Sequence, residues 1–269
     1  MEPKKNFKIV PPKNPRVLLP NIFTLVGVCI GLTSIKFAFD GRFEMAVIAI
    51  IVAGIIDGLD GRIARLIGGA SKVGKELDSL TDVISFGVAP GFIMYFWALN
   101  EIGNFGWMLV LIYSVCCALR LARFNLTVID ENESWKINFF EGVPSPAAAG
   151  LVLLPLILNL SGLVQLENYS VISSIAILAT SVLMVSKFPT YSLKRIVIPR
   201  NTTIFLLLGI GIYVSLLIFY TFQTLFFTGI IYLFLIPISF FDFRRKNKKS
   251  LKASSEEYDE DVLKIILNN

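Results

Sequence analysis

The stretch Asp57-Gly-Leu-Asp60-Gly61-Arg-Ile-Ala64-Arg65 decides how this chain folds, because it places two carboxylates near the end of a long apolar segment. Asp78 and Asp82 place two more in the next apolar segment. An ionised side chain at bilayer depth costs ~2.5–3.5 kcal/mol on insertion scales. Such groups persist where they are paired, bind a cation or line a water-filled cavity. The four aspartates therefore predict a functional site inside a membrane protein.

The composition also indicates a membrane protein. Of the 269 residues, 55% are hydrophobic and 17% are charged, whereas a soluble domain is ~25% charged. A chain of this length cannot bury so much apolar surface in one core, so the excess must face lipid. The sequence contains no histidine. This excludes histidine-based catalytic triads and histidine-ligated zinc, and leaves proton transfer to Asp, Glu, Lys or Tyr.

Hydropathy predicts an all-α polytopic membrane protein with about eight transmembrane helices, a six-helix catalytic core plus two. The predicted spans, in chain order, are Leu18–Phe39, Glu44–Leu66, Leu77–Leu99, Gly106–Phe124, Pro144–Leu163, Ser170–Ser186, Thr203–Tyr220 and Leu225–Phe241. Residues 1–17 are predicted to form a cytoplasmic arm, and residues 18–241 the membrane-embedded catalytic domain. Residues 242–269 are predicted to form a cytoplasmic tail, first basic and then acidic.

The basic residues predict the orientation of the spans. Of the 25 Lys and Arg residues, 23 fall on the side of the predicted helices that carries both termini and the aspartate-rich loop. Only Lys36 and Arg42 fall near the opposite side. The positive-inside rule then places both termini and the aspartate-rich loop in the cytoplasm, in agreement with an even number of spans. We expect a protein of the cytoplasmic (inner) membrane, with its site facing the cytoplasm. The basic run 244–249 is typical of a solvated tail, and binding of anionic lipid headgroups is the alternative.

The spacing of the aspartates predicts a metal site. Asp57 and Asp60 are three residues apart and Asp78 and Asp82 are four apart, so each pair shares one helix face. The glycine-rich connection 68–74 lets the two helices run antiparallel, with the four carboxylates facing each other. Such carboxylates repel unless protons or cations neutralise them. Oxygen ligands alone suit Mg²⁺, Mn²⁺ or Ca²⁺, and two such ions ~3.5–4 Å apart can clamp a phosphoryl group.

Small residues line one side of the second span at Gly54, Gly58, Gly61 and Ala64. In lipid, small residues usually indicate close helix packing. Gly61 and Ala64 share the aspartate stripe, where a missing side chain can instead admit a flat ligand such as a nucleobase. Arg65 is either an ion-pair partner of the aspartates or a ligand for pyrophosphate, whose oxygens match the guanidinium fork.

The pattern Asp-x2-Asp-Gly-x2-Ala-Arg-x8-Gly-x3-Asp-x3-Asp, running from Asp57 to Asp82, resembles the signature of the CDP-alcohol phosphotransferase family at every fixed position. The resemblance implies a bundle of membrane helices, a homodimer and a two-metal site with Mg²⁺ or Mn²⁺. It implies that Asp57, Asp60 and Asp78 hold one ion. Asp57, Asp78 and Asp82 would hold the other, and Asp82 would also be the catalytic base.

The same resemblance implies a set of contacts to CDP-diacylglycerol. The stretch Pro20-Asn21-Ile-Phe-Thr24 is similar to the family element that faces the nucleotide phosphates, although it is also typical of a helix start with a capping Asn. The expected binding residues are Asn21, Thr24, Gly61, Ala64, Arg65, Ser71 and Gly74.

Three further stretches, 77–90, 120–125 and 142–149, resemble the phosphatidylserine synthase branch. This implies transfer of the phosphatidyl group to the hydroxyl of L-serine, which gives phosphatidylserine and CMP, with Asp82 taking the hydroxyl proton. Arg120 and Arg123, three apart on one helix face, are candidates for the serine carboxylate, with positive-inside anchoring as the alternative. Glu141 or Ser145 is the candidate for the ammonium group.

Two alternatives remain open. The same chemistry with glycerol 3-phosphate, inositol phosphate or choline keeps the aspartates, but a phosphorylated acceptor needs a denser basic pocket than Arg120 and Arg123 provide. A divalent-cation transporter needs acidic or polar residues deep in several spans, whereas the aspartates are confined to two. The expected partners are CDP-diacylglycerol, serine, membrane lipids and a second copy of the chain, and no nucleic acid.

Overall fold

The computed structural model describes residues 18–66, 72–126, 139–165, 167–191 and 203–267, and these are mostly helical. One short antiparallel pair joins strands β1 (Phe139–Glu141) and β2 (Pro189–Tyr191). The helices are α1 Leu18–Phe39, α2 Phe43–Leu66, α3 Lys72–Asp82, α4 Ala89–Trp97, α5 Asn104–Leu126, α6 Ser145–Val152, α7 Leu154–Leu160, α8 Tyr169–Val185, α9 Thr203–Phe219 and α10 Thr221–Leu267.

Every predicted span coincides with helical structure. The first predicted span has the same bounds as α1, and the predicted third span is formed by α3, a π-helical segment (Val83–Val88) and α4 in succession. The predicted fifth span is divided between α6 and α7, with Pro155 in the first turn of α7. Helix α10 continues past Phe241 to Leu267, into the predicted tail. Residues 242–267 contain neither Gly nor Pro, so nothing in their composition stops the helix.

Four of the described helical stretches are long and apolar enough to cross a membrane. They are Pro20–Phe39, Val73–Trp97, Asn104–Leu126 and Thr221–Asn247. Helices α8 and α9 are apolar but shorter. Helix α2 has the length but carries the charged residues of the aspartate cluster near its end. The predicted arm, residues 1–17, lies outside the described residues.

The chain divides into two compact units, residues 1–121 and residues 122–269. In the first unit, α1 packs along α2 and along the helix formed by α3, the π-helical segment and α4. A Cβ built on Gly54 of α2 would lie 3.7 Å from the ring of Phe86, so this glycine packs a helix contact as small residues in membranes do.

In the second unit, the strand pair ties the start of α6 to the end of α8. The Thr190 hydroxyl donates to the carbonyl of Gly142 at 2.8 Å, and the Gly142 amide donates to the carbonyl of Phe188 at 2.8 Å. The ring of Phe139 stacks on Tyr191, with 5.6 Å between centroids, and meets the ring of Phe243 edge-on. The ring contact with Phe243 joins the strand pair to α10.

Candidate metal and substrate site

The four aspartates lie on two helices that run in opposite directions. Asp57 and Asp60 are on α2, and Asp78 and Asp82 are in the last turns of α3. The Asp57 and Asp82 carboxyl groups face each other, and one turn further Gly54 faces Phe86. The residue numbers thus rise on one helix as they fall on the other. This confirms the antiparallel arrangement predicted from the spacing.

Three of the carboxylates converge closely. Asp57, Asp60 and Asp78 each offer one oxygen, and these oxygens all lie within 4.8 Å of one another. Asp60 is buried, and the other two are half-buried. Ligand oxygens at about 2.0–2.1 Å from one Mg²⁺ are at most about 4 Å apart. The three oxygens therefore need only a small side-chain adjustment to share one ion.

The fourth carboxylate, that of Asp82, has one oxygen whose hydrogen-bonding capacity is not satisfied in the described structure. Oδ1 of Asp82 is buried and has no hydrogen-bond partner among the described residues. A buried polar atom left in this state costs about 1–3 kcal/mol, and more when it is charged. A cation would satisfy this oxygen and also separate the negative charges of Asp57 and Asp82. An all-carboxylate set suits a hard divalent cation, so the residues present fit such an ion.

Helix α1 supports the cluster through Thr24. Its hydroxyl is buried and lies 2.9 Å from Oδ2 of Asp60, and 3.0 Å from the carbonyl of Pro20. The sequence predicted that Thr24 faces nucleotide phosphates, and the described contact is with the carboxylate. A hydrogen bond to a ligand carboxylate is the kind of support that orients metal ligands in proteins.

The structure describes some of the residues predicted to bind substrate in full, and others only in part or not at all. Among the described residues outside its own helix turn, a Cβ built on Gly61 would meet nothing within 4 Å, so this part of the structure leaves space beside the aspartate stripe. Gly74 is buried in α3 and Asn21 is half-buried in the first turn of α1. Ser71 lies outside the described residues. Ala64 and Arg65 are described only through their backbone in α2.

The two arginines predicted to bind serine have different surroundings. Arg120 is 6% exposed and interacts electrostatically with Asp82. Arg123 donates from Nη1 to the carbonyl of Val185 at 2.9 Å and from Nη2 to that of Ser186 at 3.3 Å. Arg123 therefore caps the carboxyl end of α8, where a cation is favourable. Ser145 is buried in the first turn of α6, in the second unit.

Sequence reasoning missed the π-helical segment that follows Asp82 and the buried Tyr113 that contacts it. The hydroxyl of Tyr113 donates to the carbonyl of Phe86 at 2.8 Å. The available signal was Pro90, which lies inside an otherwise helical pattern and disturbs the turn before it.

Comparison with known proteins supports the family resemblance. Over 244 residues the chain is 34% identical to a Mycobacterium leprae protein named CDP-diacylglycerol–serine O-phosphatidyltransferase, and the match covers 90% of this chain and 79% of that protein. A Mycobacterium tuberculosis protein with this name is 37% identical over 185 residues, which are 68% of this chain and 64% of the relative. A Helicobacter pylori protein with this name is 44% identical over 148 residues, which are 55% and 61% of the two chains.

The match thus spans less than two thirds of the M. tuberculosis and H. pylori relatives. Residues 17–186 match the family described as CDP-alcohol phosphatidyltransferase. This range contains the first six predicted spans and all four aspartates. The chain belongs to the CDP-alcohol phosphatidyltransferase family.

Proposed function

We propose that this protein transfers the phosphatidyl group of CDP-diacylglycerol to the hydroxyl of L-serine. The serine oxygen forms a bond to the phosphorus that carries diacylglycerol, the bond from that phosphorus to the CMP oxygen breaks, and the products are phosphatidylserine and CMP. The observation that carries the proposal is the convergence of Asp57, Asp60 and Asp78 within 4.8 Å, in a family whose relatives above bear the name of this activity.

The carboxylates supply the sites for two divalent cations, Mg²⁺ or Mn²⁺. Asp57, Asp60 and Asp78 hold one ion, and Asp57, Asp78 and Asp82 hold the other. When bound, such ions supply positive charge that polarises the diphosphate and stabilises the departing CMP. The buried oxygen of Asp82 and the contact between Asp57 and Asp82 support the second set.

Asp82 is the general base. Its carboxylate accepts the proton that the serine hydroxyl loses as the new bond forms. Arg120 binds the serine carboxylate. This residue is buried and interacts electrostatically with Asp82, and a guanidinium can make the two-pronged hydrogen bonds that suit a carboxylate. Serine held in this way presents its hydroxyl to Asp82. Arg123, which shares a helix face with Arg120, and Ser145 are further candidates from the sequence, and the described contacts of Arg123 are with the end of α8.

CDP-diacylglycerol lies along the aspartate stripe of α2. Gly61 and Ala64 leave room for the cytosine ring, and the open space at Gly61 supports this placement. Asn21, Thr24, Arg65, Ser71 and Gly74 complete the contacts to the diphosphate and ribose. The Thr24 hydroxyl serves the substrate indirectly as well, through its hydrogen bond to Asp60.

For the membrane topology and the oligomeric state, we propose the arrangement that the sequence predicts. The protein crosses the cytoplasmic (inner) membrane eight times as a homodimer, with both termini and the site on the cytoplasmic side. Residues 1–17 form the arm, residues 18–241 the catalytic domain and residues 242–269 the tail. The distribution of Lys and Arg supports the orientation, and the four long apolar helices support the membrane location.

The test is CMP release by the full chain purified in detergent, with CDP-diacylglycerol, Mn²⁺ and one acceptor at a time. Serine should support release, and glycerol 3-phosphate, inositol phosphate and choline should not. Asp82→Asn should lower the rate by about 10²–10⁴-fold, which is the range for loss of a general base. Asp40→Asn is the matched control, because Asp40 pairs with Lys36 at the far end of α1.

Release with glycerol 3-phosphate but not with serine would contradict the acceptor assignment. Cation flux without any CMP release would point instead to a transporter.

A further inference from the structure

The helix that carries Asp82 changes its geometry directly after that residue. Helix α3 ends at Asp82, the π-helical segment occupies Val83–Val88, and α4 begins at Ala89. The amide of Ala89 donates to the carbonyl of Ile84, five residues earlier. Such a turn accommodates one more residue than an α-helical turn, which rotates the two flanking helices by about 100° relative to a continuous α-helix. The direction in which Asp82 points therefore depends on this segment.

Pro90 accounts for the change. Proline has no amide hydrogen, and its ring collides with the carbonyl four residues earlier, which here belongs to Phe86. The hydroxyl of Tyr113 on α5 donates to that carbonyl at 2.8 Å, and the Tyr113 side chain is fully buried. The tyrosine thus gives the Phe86 carbonyl a donor that residue 90 cannot supply.

Close contacts hold the segment on two sides. The Ser114 hydroxyl of α5 lies 3.2 Å from the carbonyl of Gly87. The Ser85 hydroxyl lies 3.4 Å from the carbonyl of Gly27 on α1. A Cβ built on Gly31 would lie only 2.5 Å from the Ser85 oxygen, so α1 and the segment approach too closely for any larger residue. The segment is therefore clamped between α1 and α5.

Helix α5 contacts the segment and the site from one face. Tyr113 and Arg120 are seven residues apart, or two turns, and Phe86 and Asp82 are one turn apart. Tyr113 contacts Phe86, and Arg120 interacts with Asp82. One face of α5 thus interacts with the Asp82 carboxylate and also contacts the π-helical segment that determines the direction of Asp82.

We propose that Tyr113 is a positioning residue for Asp82: its hydrogen bond to the Phe86 carbonyl stabilises the π-helical segment and keeps Asp82 turned toward Asp57. Tyr113 does not contact the substrates. The kinetic consequence rests on the proposed function, in which Asp82 is the base, whereas the effect on metal binding rests only on Asp82 being a ligand.

The first test is Tyr113→Phe, which removes one hydroxyl. Mn²⁺ affinity, measured by electron paramagnetic resonance without substrates, should fall about 3- to 10-fold, the range that one lost buried hydrogen bond allows. The kcat with serine should fall by a similar factor, while the KM for CDP-diacylglycerol stays within about twofold. Tyr95→Phe is the matched control, since it removes a hydroxyl from a half-buried tyrosine of α4 in the same unit, and it should leave both values unchanged.

The second test separates positioning from simple stabilisation. In Tyr113→Phe with Pro90→Ala, residue 90 regains an amide that can donate to Phe86, so the melting temperature measured in EDTA should recover. The segment is then free to become α-helical, so Mn²⁺ affinity and kcat should stay low. Pro90→Ala alone should lower both values as well, which keeps the test available if Tyr113→Phe does not fold.

Recovery of affinity and kcat together with stability in the double variant would overturn the proposal, as would unchanged Mn²⁺ affinity in Tyr113→Phe. Absence of Mn²⁺ binding by the unsubstituted protein would overturn it too. A protein that shows the predicted Mn²⁺ pattern but uses another acceptor would instead contradict the proposed function and leave this inference standing.

Discussion

Thr24 on α1 donates a hydrogen bond to Asp60 on α2, with 2.9 Å between Oγ1 and Oδ2. Both side chains are buried, so the bond is shielded from competing water. It fixes one carboxylate of the cluster in place and couples the aspartate stripe to the first helix. Loss of such a supporting hydrogen bond typically lowers metal affinity or activity 10- to 100-fold.

Thr24→Val should therefore raise the Mn²⁺ concentration needed for half-maximal activity by about 10- to 100-fold, while Thr24→Ser, which keeps the hydroxyl, should stay close to the unsubstituted protein. The measurement is CMP release over a Mn²⁺ titration. Thr33→Val is the matched control on the same helix, because the Thr33 hydroxyl contacts its own helix at the Cys29 carbonyl. Equal Mn²⁺ requirements in all three variants would show that Thr24 does not orient Asp60.

The open space at Gly61 gives a second prediction. Gly61→Ala adds a methyl group that would meet no other described part of the protein within 4 Å, apart from its own helix turn, so the fold should tolerate it and the melting temperature should not fall. A substrate that uses this space should bind less well, and we expect the KM for CDP-diacylglycerol to rise several-fold with little change in the KM for serine. Gly58→Ala is the control, since Gly58 also faces open space but lies off the aspartate stripe. An unchanged KM in Gly61→Ala would remove the substrate from this position.

The aspartate cluster could be predicted from the sequence because it depends on local rules. Spacings of three and four place Asp57 with Asp60 and Asp78 with Asp82 on helix faces, and a short connection makes the helices antiparallel. The contact between Thr24 and Asp60 depends instead on how α1 crosses α2, which no local pattern specifies. The π-helical segment was hidden because hydropathy averaged over a window of about 19 residues reports apolar content and does not resolve the pitch of a single turn.

The end of α10 shows that hydropathy does not predict where a helix ends. Hydropathy predicted the end of the last span at Phe241, and the apolar run does stop there, yet the helix continues to Leu267. Hydropathy reports where a helix leaves the membrane, whereas the residues after Phe241 keep a good helix propensity. The two boundaries have different physical causes and need not coincide.

The crowded carboxylates predict how stability responds to metal. Without cations, Asp57, Asp78 and Asp82 repel one another, so Asp78→Asn should leave the melting temperature in EDTA unchanged or higher. Added Mn²⁺ should raise the melting temperature of the unsubstituted protein, because a ligand that binds the folded state stabilises it by about 2.7 kcal/mol at 100 times its dissociation constant. Asp78→Asn should lose most of this rise.

Asp40→Asn is again the control for that experiment, since its carboxylate lies in a surface ion pair with Lys36, and it should keep the full response to Mn²⁺. A rise of equal size in Asp78→Asn would place the ion away from the cluster. Differential scanning fluorimetry in one detergent, with EDTA and with Mn²⁺, supplies all of these values.

Substitutions of the two arginines of α5 should change different quantities, the KM for serine in one case and the melting temperature in the other. Arg120 is buried and interacts electrostatically with Asp82. Arg120→Lys, which keeps the charge but loses the planar fork, should therefore raise the KM for serine about tenfold and leave the KM for CDP-diacylglycerol nearly unchanged. Arg123 contacts the carbonyls of Val185 and Ser186 at the end of α8. Arg123→Lys should therefore lower the melting temperature, by an amount corresponding to about 1 kcal/mol, with a much smaller change in the KM for serine. An equal rise of the serine KM in both variants would place Arg123 at the acceptor as well, in agreement with the helix face that the two arginines share. Arg123 would then have to exchange its contacts with α8 for contacts with serine when serine binds.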